Sequence, residues 1–400
     1  MEFLLALLVL LLCAKVFGEL LHRYGFSPLI AEVAVGILLG PAILGWVVLK
    51  DGEPTSEAIK GVAMLGLIVL MLVAGMNSRF DMLMKVKFKA FVVSVSGMAV
   101  SFALGFGVAY AWSQQLLPSL FVAAALSNTA TEIVVRITER SRFRDLIVGG
   151  ALIDDILAVY ILGILSTATL KQALGQPIDV SVFFWATVGI VAFFAIVGYL
   201  SSKLIIEADI MKKLWKLERR GVPLVFAICL ALALAVIAQK IGLHAIIGAY
   251  MAGLFIGRLR ERPVVTLQSR VRLNAMLEDI STSLQSILTP MFFVYVGLMF
   301  APNWGQVNFI VLFALIIAAF TGKLIGCGAG AAAVGYKGRE LAEIGTAMCS
   351  RGSLELAMLQ FGFLSLRDYG FTPELFAVMV VTTLVTTILT PVLFKYVAGK

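Results

Sequence analysis

Residues 149–165, GGALIDDILAVYILGIL, would pass for the middle of a membrane-spanning helix but for two adjacent carboxylates, Asp154 and Asp155. Successive helical residues point about 100° apart, so both acids can border one cavity while meeting different partners. One can face a basic side chain of the protein and the other a hydrated ion. Two neighbouring carboxylates in a poorly polar site resist ionising together. That suits a site where a proton and a bare cation take turns, and oxygen ligands suit hard cations. An ionised side chain at mid-membrane costs at least ~2.5–3.5 kcal/mol on insertion scales. A single Ser or Asn would join two helices at lower cost, so the pair points to function rather than packing.

Few other charges lie deep in apolar sequence: Glu132, Arg136, Lys323, Arg351 and Glu355. Lys323 sits in FTGKLIGCGAGAAAVGY, where small residues let helices approach closely. A buried ammonium needs a carboxylate, and Asp154 is its expected partner. Two further segments read as interrupted helices. AALSNTATEIV (124–134) carries Ser127, Asn128, Thr129 and Thr131, which compete for their own backbone hydrogen bonds. MCSRGSLELAM (348–358) has Gly352 between Arg351 and Ser353, with Glu355 a turn beyond Arg351. Unwound backbone at membrane depth is tolerated where it lines a cavity. Arg351 and Glu132, one in each break, are placed to neutralise the opposed half-helix ends and each other. Ion pairs within each helix, Glu132–Arg136 and Arg351–Glu355 at i,i+4, are a compatible alternative.

The elements that must position these groups are helices. The chain has 400 residues, 60% hydrophobic and only 14% charged, with a mean hydropathy of +1.00. Water-soluble domains carry about 25% charged residues. About thirteen apolar runs approach the ~20 residues a helix needs to cross the hydrocarbon. They cover roughly 3–21, 28–47, 58–77, 90–112, 119–138, 146–169, 180–201, 221–239, 243–257, 284–300, 308–334, 341–364 and 372–394. Continuous runs exclude a β-barrel, which needs alternation. The first run lacks a basic lead and a small-residue cleavage site, so it reads as a span rather than a signal peptide. One set of alternate connections holds nearly all the loop Lys and Arg. The other holds only Lys50, Lys171, Lys240 and Arg367. The rich set belongs in the cytoplasm, with the N-terminus outside and the C-terminus inside. These loops also account for the net charge of +8, so no nucleic-acid partner is implied.

The basic stretch 203–220 and the segment 263–283 read as interfacial. The four cysteines lie in apolar runs without metal-ligand spacing, and His22 and His244 sit at span ends. No cofactor, zinc or haem site is expected. An odd number of spans separates the two interruptions, so equivalent helices would run in opposite directions, as in inverted repeats. The same offset carries Asp154 to about Phe376, which is uncharged. One ion site is therefore expected, not two.

These residues lie within longer matches. SPLIAEVAVGILLGPAILG (27–45), AMLGLIVLMLVAGMNSRFDML (63–83), ALSNTATEIV (125–134), GLHAIIGAYMAGLFIG (242–257) and TPMFFVYVGLMF (289–300) follow one another in order. Together with the Asp pair they resemble the second class of monovalent cation:proton antiporters, the Kef- and Nap-type transporters. The resemblance implies an all-α polytopic membrane protein of inverted-topology repeats with two crossing broken helices. It also implies exchange of Na⁺ or Li⁺ for H⁺ by alternating access in a homodimer within the cell membrane, with no enzymatic reaction. Potassium-efflux members carry Gln-Asp at the acid pair. Sodium-type electrogenic members carry Asp-Asp and a later lysine, as this chain does in Asp154, Asp155 and Lys323. By the same resemblance, Asp155 is the main cation ligand, with Thr129 and with Ser127, Asn128 or nearby carbonyls. Asp154 pairs with Lys323 in the absence of the ion, and Glu132, Arg351 and Glu355 balance charge at the breaks.

The implied domains are dimerisation helices 1–85, core helices 86–170 bearing the Asp pair, a linker helix and basic segment 171–220, dimerisation helices 221–303 and core helices 304–400. A K⁺/H⁺ antiporter on the same fold is the nearest alternative. An intramembrane aspartyl protease would need its two acids facing each other from separate helices, and here they are consecutive. A cation channel would meet the positive charge of Lys323 beside its path.

Overall fold

Backbone polar groups in lipid must be satisfied within the segment that carries them, which favours helices. In the computed structural model, all regular structure among the described residues is helical. These residues are 3–50, 52–77, 80–176, 180–207, 222–260 and 267–398. They form fifteen α-helices and one 3-10 turn. In chain order the helices are α1 (Phe3–Arg23), α2 (Pro28–Leu39), α3 (Pro54–Asn77), α4 (Phe80–Ser113), α5 (Leu116–Ser127), α6 (Thr131–Ile137), α7 (Arg144–Ala173) and α8 (Val180–Glu207). There follow α9 (Val222–Lys240), α10 (Ala245–Arg260), α11 (Leu267–Leu298), α12 (Phe309–Ala333), α13 (Arg339–Ala347), α14 (Ser353–Leu366) and α15 (Pro373–Ala398). Among the described residues, eight segments are long and apolar enough to cross a membrane, one of them the broken pair α5–α6. Four shorter apolar helices join them. The basic stretch 203–220 lies outside the described residues from position 208 onward.

Most apolar runs coincide with a helix, and two differ in detail. The run 28–47 is helical only to Leu39, because the chain turns at Gly40 and Pro41 cannot continue the ladder. The backbone then folds back, Leu44 N donating to Leu38 O at 3.1 Å and Val47 N to Leu39 O at 3.0 Å. The run 284–300 is the second half of α11, so 267–283 is helical and continuous with it, through Pro290.

The chain divides into two compact units. One comprises residues 62–81 and 162–292. Within it α3 and α10 cross at glycines: a Cβ on Gly253 would lie 2.1 Å from Leu72 O. The other comprises 1–61, 82–161 and 293–400, and holds every candidate site residue. Its core includes Val93 of α4, Val134 of α6, Ile147 and Ala151 of α7, Ala331 of α12 and Ile344 of α13, all buried. Here α4 and α12 touch backbone to backbone. A Cβ on Gly326 would lie 2.7 Å from Ser96 O, and one on Gly97 would lie 2.2 Å from the Cys327 sulfur. At Gly326, where the neighbours are backbone atoms, no larger residue fits without separating the helices. This approach lets α4 and α12 reach the same carboxylate on α7.

Candidate functional site

Both interruptions expected from the polar runs are present. α5 ends at Ser127 and α6 begins at Thr131. α13 ends at Ala347 and α14 begins at Ser353. The extended residues between the halves meet each other: Ala130 N donates to Ser350 O at 2.9 Å. A Cβ on Gly352 would lie 2.6 Å from that of Ala130, so only glycine allows the crossing this close. Each break thus supplies part of the hydrogen bonding that the other lost, which meets the demand on buried backbone.

α7 passes beside the crossing, and its two acids have different surroundings. Asp154 is fully buried, 0% exposed. Its Oδ1 accepts from Ser94 Oγ of α4 at 2.5 Å. Its Oδ2 accepts from Lys323 Nζ of α12 at 2.5 Å and from Thr129 Oγ1 in the first break at 2.6 Å. Thr129 Oγ1 also lies 3.1 Å from Met348 O, and its one proton serves one acceptor at a time. Lys323 is likewise 0% exposed. Asp155 is only partly buried. Its Oδ2 accepts from Thr131 Oγ1 at 2.7 Å, its one hydrogen bond among the described residues. The helical rotation between neighbours therefore separates one saturated carboxylate, held by an ammonium, from one with free lone pairs and access.

The other candidates take varied places. Ser127 Oγ donates to Ala124 O of its own helix at 2.8 Å, away from the carboxylates. Asn128 is buried, and its side-chain Oδ1 has no donor. Its backbone oxygen accepts from Arg351 Nη1, while Arg351 Nη2 donates to Ala319 O at 3.0 Å. The guanidinium thus sits on the negative C-terminal end of α5. Glu355 is buried, its Oε1 2.9 Å from Thr383 Oγ1 of α15, whose one proton serves either it or Met379 O. Glu132 is exposed and does not meet Arg351, and Arg136 turns away from it to donate to Phe26 O at 3.3 Å. Neither i,i+4 ion pair forms among the described residues.

Two hydroxyls at the carboxylates were not among the sequence candidates. Thr131 carried a signal, since it belongs to the same polar run as Thr129. Ser94 carried none beyond being a small polar residue in an apolar helix. Among the described residues no three His, Cys, Asp or Glu cluster as a transition-metal site would require. The oxygen set (carboxylate, hydroxyl, amide and carbonyl) suits a hard monovalent cation instead.

A polytopic helical protein with two crossed broken helices, and an acid pair at their crossing, is a membrane transporter of ions by fold and site together. Among solved structures, the sodium proton antiporter MjNhaP1 of Methanocaldococcus jannaschii superposes with a TM-score of 0.67. That match covers 99% of this chain and 97% of that one, at 14% identity. The family profile described as sodium/hydrogen exchanger, transmembrane, matches residues 5–396. The chain belongs to that family. It is 27% identical to the Na(+)/H(+)-K(+) antiporter GerN of Bacillus cereus, over 100% of this chain and 97% of the relative. It is 25% identical to a Na(+)/H(+) antiporter of Enterococcus hirae, over 100% and 99% respectively.

Proposed function

We propose that the protein exchanges Na⁺ or Li⁺ for H⁺ across the cell membrane by alternating access, and that Asp155 is the residue both ions share. The observation that carries this is the contrast within the acid pair. Asp154 has both oxygens occupied by Lys323, Ser94 and Thr129, whereas Asp155 holds one hydroxyl and is accessible. Thr131 Oγ and the donor-less Oδ1 of Asn128 offer further oxygens for a bound ion.

Facing the cytoplasm, Asp155 releases its proton and takes Na⁺. With its charge neutralised, the site can pass the apolar barrier. Facing outside, Na⁺ leaves and a proton returns. The empty, ionised site crosses slowly, because an unpaired charge in low dielectric is costly. That penalty couples the two fluxes. If the Asp154–Lys323 pair opens and closes once per cycle, a second proton travels and transport becomes electrogenic. Each net charge then feels ~2.3 kcal/mol per 100 mV.

We assign the chain to the second, Kef- and Nap-type class, on the Asp-Asp pair and Lys323. In this reading the core segments 86–170 and 304–400 shift against a scaffold of 1–85 and 221–303 in a homodimer, with 171–220 as linker. The N-terminus lies outside and the C-terminus in the cytoplasm, as the loop lysines and arginines dictate. A K⁺/H⁺ exchange is the second reading, and the name of the Bacillus cereus relative, which includes K⁺, favours keeping it. The test is a pH-gradient dequenching assay in proteoliposomes with Na⁺, Li⁺ and K⁺. Wild type should respond to Na⁺ and Li⁺, and Asp155→Asn to none. Equal activity in Asp155→Asn refutes the assignment, and a response to K⁺ alone selects the second reading.

A further inference from the structure

Arg351, in the second break just before α14, and Glu355, in the first turn of α14, are both fully buried, and yet no ion pair joins them among the described residues. The guanidinium reaches the other way. Nη1 holds the Asn128 backbone oxygen in the first break and Nη2 holds Ala319 O, while Nε has no acceptor. On Glu355, Oε1 lies 2.9 Å from Thr383 Oγ1, whose one proton serves either it or Met379 O, also at 2.9 Å, and Oε2 has no donor. A buried guanidinium nitrogen without an acceptor and a buried carboxyl oxygen without a donor, on either side of the start of α14, are two halves of an unmade contact. An ionised carboxylate left with one neutral hydrogen bond beside an arginine would not stay so. A protonated carboxyl would: its Oε1–H can donate to Thr383 Oγ1 while Thr383 donates to Met379 O, and it has no charge to be balanced.

We propose that Glu355 is a second proton-binding group, separate from the Asp pair, whose charge state decides where Arg351 goes. With the proton on Glu355, Arg351 holds the Asn128 and Ala319 oxygens, as in this structure. When that proton leaves to water, the carboxylate draws the guanidinium toward the first turn of α14, and the Asn128 oxygen is released. The first break, which carries Thr129 and Thr131, then loses its clamp. The second proton site thereby switches the helix crossing between a held and a free state, with the free state favoured as pH rises.

The groups around Glu355 leave this switch to Arg351. α5 brings no charged residue, and α15 brings Thr383. The turn Arg367–Tyr369 lies beyond the far end of α14, roughly 16 Å along the helix. Lys323 of α12 is held by Asp154.

The inference rests on the antiport reading for its transport readout, so a second readout is independent of transport. Infrared difference spectra of the purified protein between acidic and alkaline pH should show a protonated carboxyl that disappears on titration and is missing in Glu355→Gln. In proteoliposomes at saturating Na⁺, Glu355→Gln should lose the alkaline rise in rate by about fivefold or more, with KM for Na⁺ little changed. Glu355→Asp, which keeps a titrating group, should retain the rise. A Glu355→Gln variant that follows wild type across the pH range overturns the proposal. So does an equal loss in the Gln and Asp variants at every pH, or the lack of a titrating carboxyl that depends on Glu355. Wild type without Na⁺/H⁺ exchange would defeat the antiport reading itself, and the infrared result would still decide on Glu355.

Discussion

The pair of Asp154 and Lys323 can be tested as a double-mutant cycle read in two currencies, stability and voltage. Both side chains are fully buried and 2.5 Å apart. Asp154→Asn leaves an ammonium without a counter-charge. Lys323→Met leaves a carboxylate supported by two neutral hydroxyls, those of Ser94 and Thr129. Removing one partner of a buried pair typically costs 3–5 kcal/mol, about that for each single variant here. Replacing both with neutral groups of similar volume is often neutral or stabilising. The double variant should therefore lie close to wild type, with a coupling energy of at least about 6 kcal/mol, the sum of the two single costs. Reversible unfolding in mixed micelles measures it. The same double variant keeps Asp155 with Thr131, so it should still exchange one Na⁺ for one proton. It should lose the second proton, and an imposed potential that biases wild type by ~2.3 kcal/mol per charge per 100 mV should leave its end point unmoved. If the single costs add in the double variant to within about 0.5 kcal/mol, the pair is not an energetic unit. If the double variant follows voltage as wild type does, the pair is not the source of electrogenic transport.

Thr131→Val removes the one hydrogen bond to Asp155, and bonds to charged groups are worth about 1.5–3 kcal/mol. KM for Na⁺ in vesicle assays should rise by roughly tenfold or more, and Thr131→Ser should restore it. Gly326→Ala places a methyl 2.7 Å from the Ser96 backbone oxygen. It should destabilise the protein by about 1–3 kcal/mol and lower the transport rate, because pushing α4 from α12 pulls Ser94 and Lys323 off the same carboxylate. Unfolding and dequenching assays on that variant check both effects.

What could be read in advance was what hydropathy and charge encode directly. Lys323 in an apolar run demanded a carboxylate, and one lies against it. The polar clusters at 127–131 and 350–353 announced interruptions, since side-chain hydroxyls and amides compete with the helix for its own backbone groups. What failed to show was rotational detail. Nothing in the order Thr129, Ala130, Thr131 tells which hydroxyl meets which acid, because that depends on how an unwound segment crosses α7. Thr129 goes to Asp154 and Thr131 to Asp155. The i,i+4 rule likewise suggested Arg351–Glu355. Tertiary acceptors at Asn128 and Ala319 compete for the guanidinium, and local spacing contains no record of them. Glu32 passed unnoticed for the opposite reason. One acid in a long apolar run looks like an end residue, yet it is buried in α2.

The unequal loading of the two halves follows from the same energetics. α7 follows the first break and carries two acids. α15 follows the second break and carries a row of buried threonines, Thr382, Thr383, Thr386, Thr387 and Thr390. Most of these donate to the carbonyl four residues back in their own helix. Thr383 and Thr387 also turn to Glu355 and to the Arg351 carbonyl. A second acid pair in α15 would need its own ammonium and its own neutralising ion before the core could move, since each unpaired charge in low dielectric resists crossing. Hydroxyls line the second half without that requirement. In the proposed cycle one charged site decides when the barrier can be passed, and the proposed arginine clamp in the other half influences it through the break without adding a charge that must itself be carried.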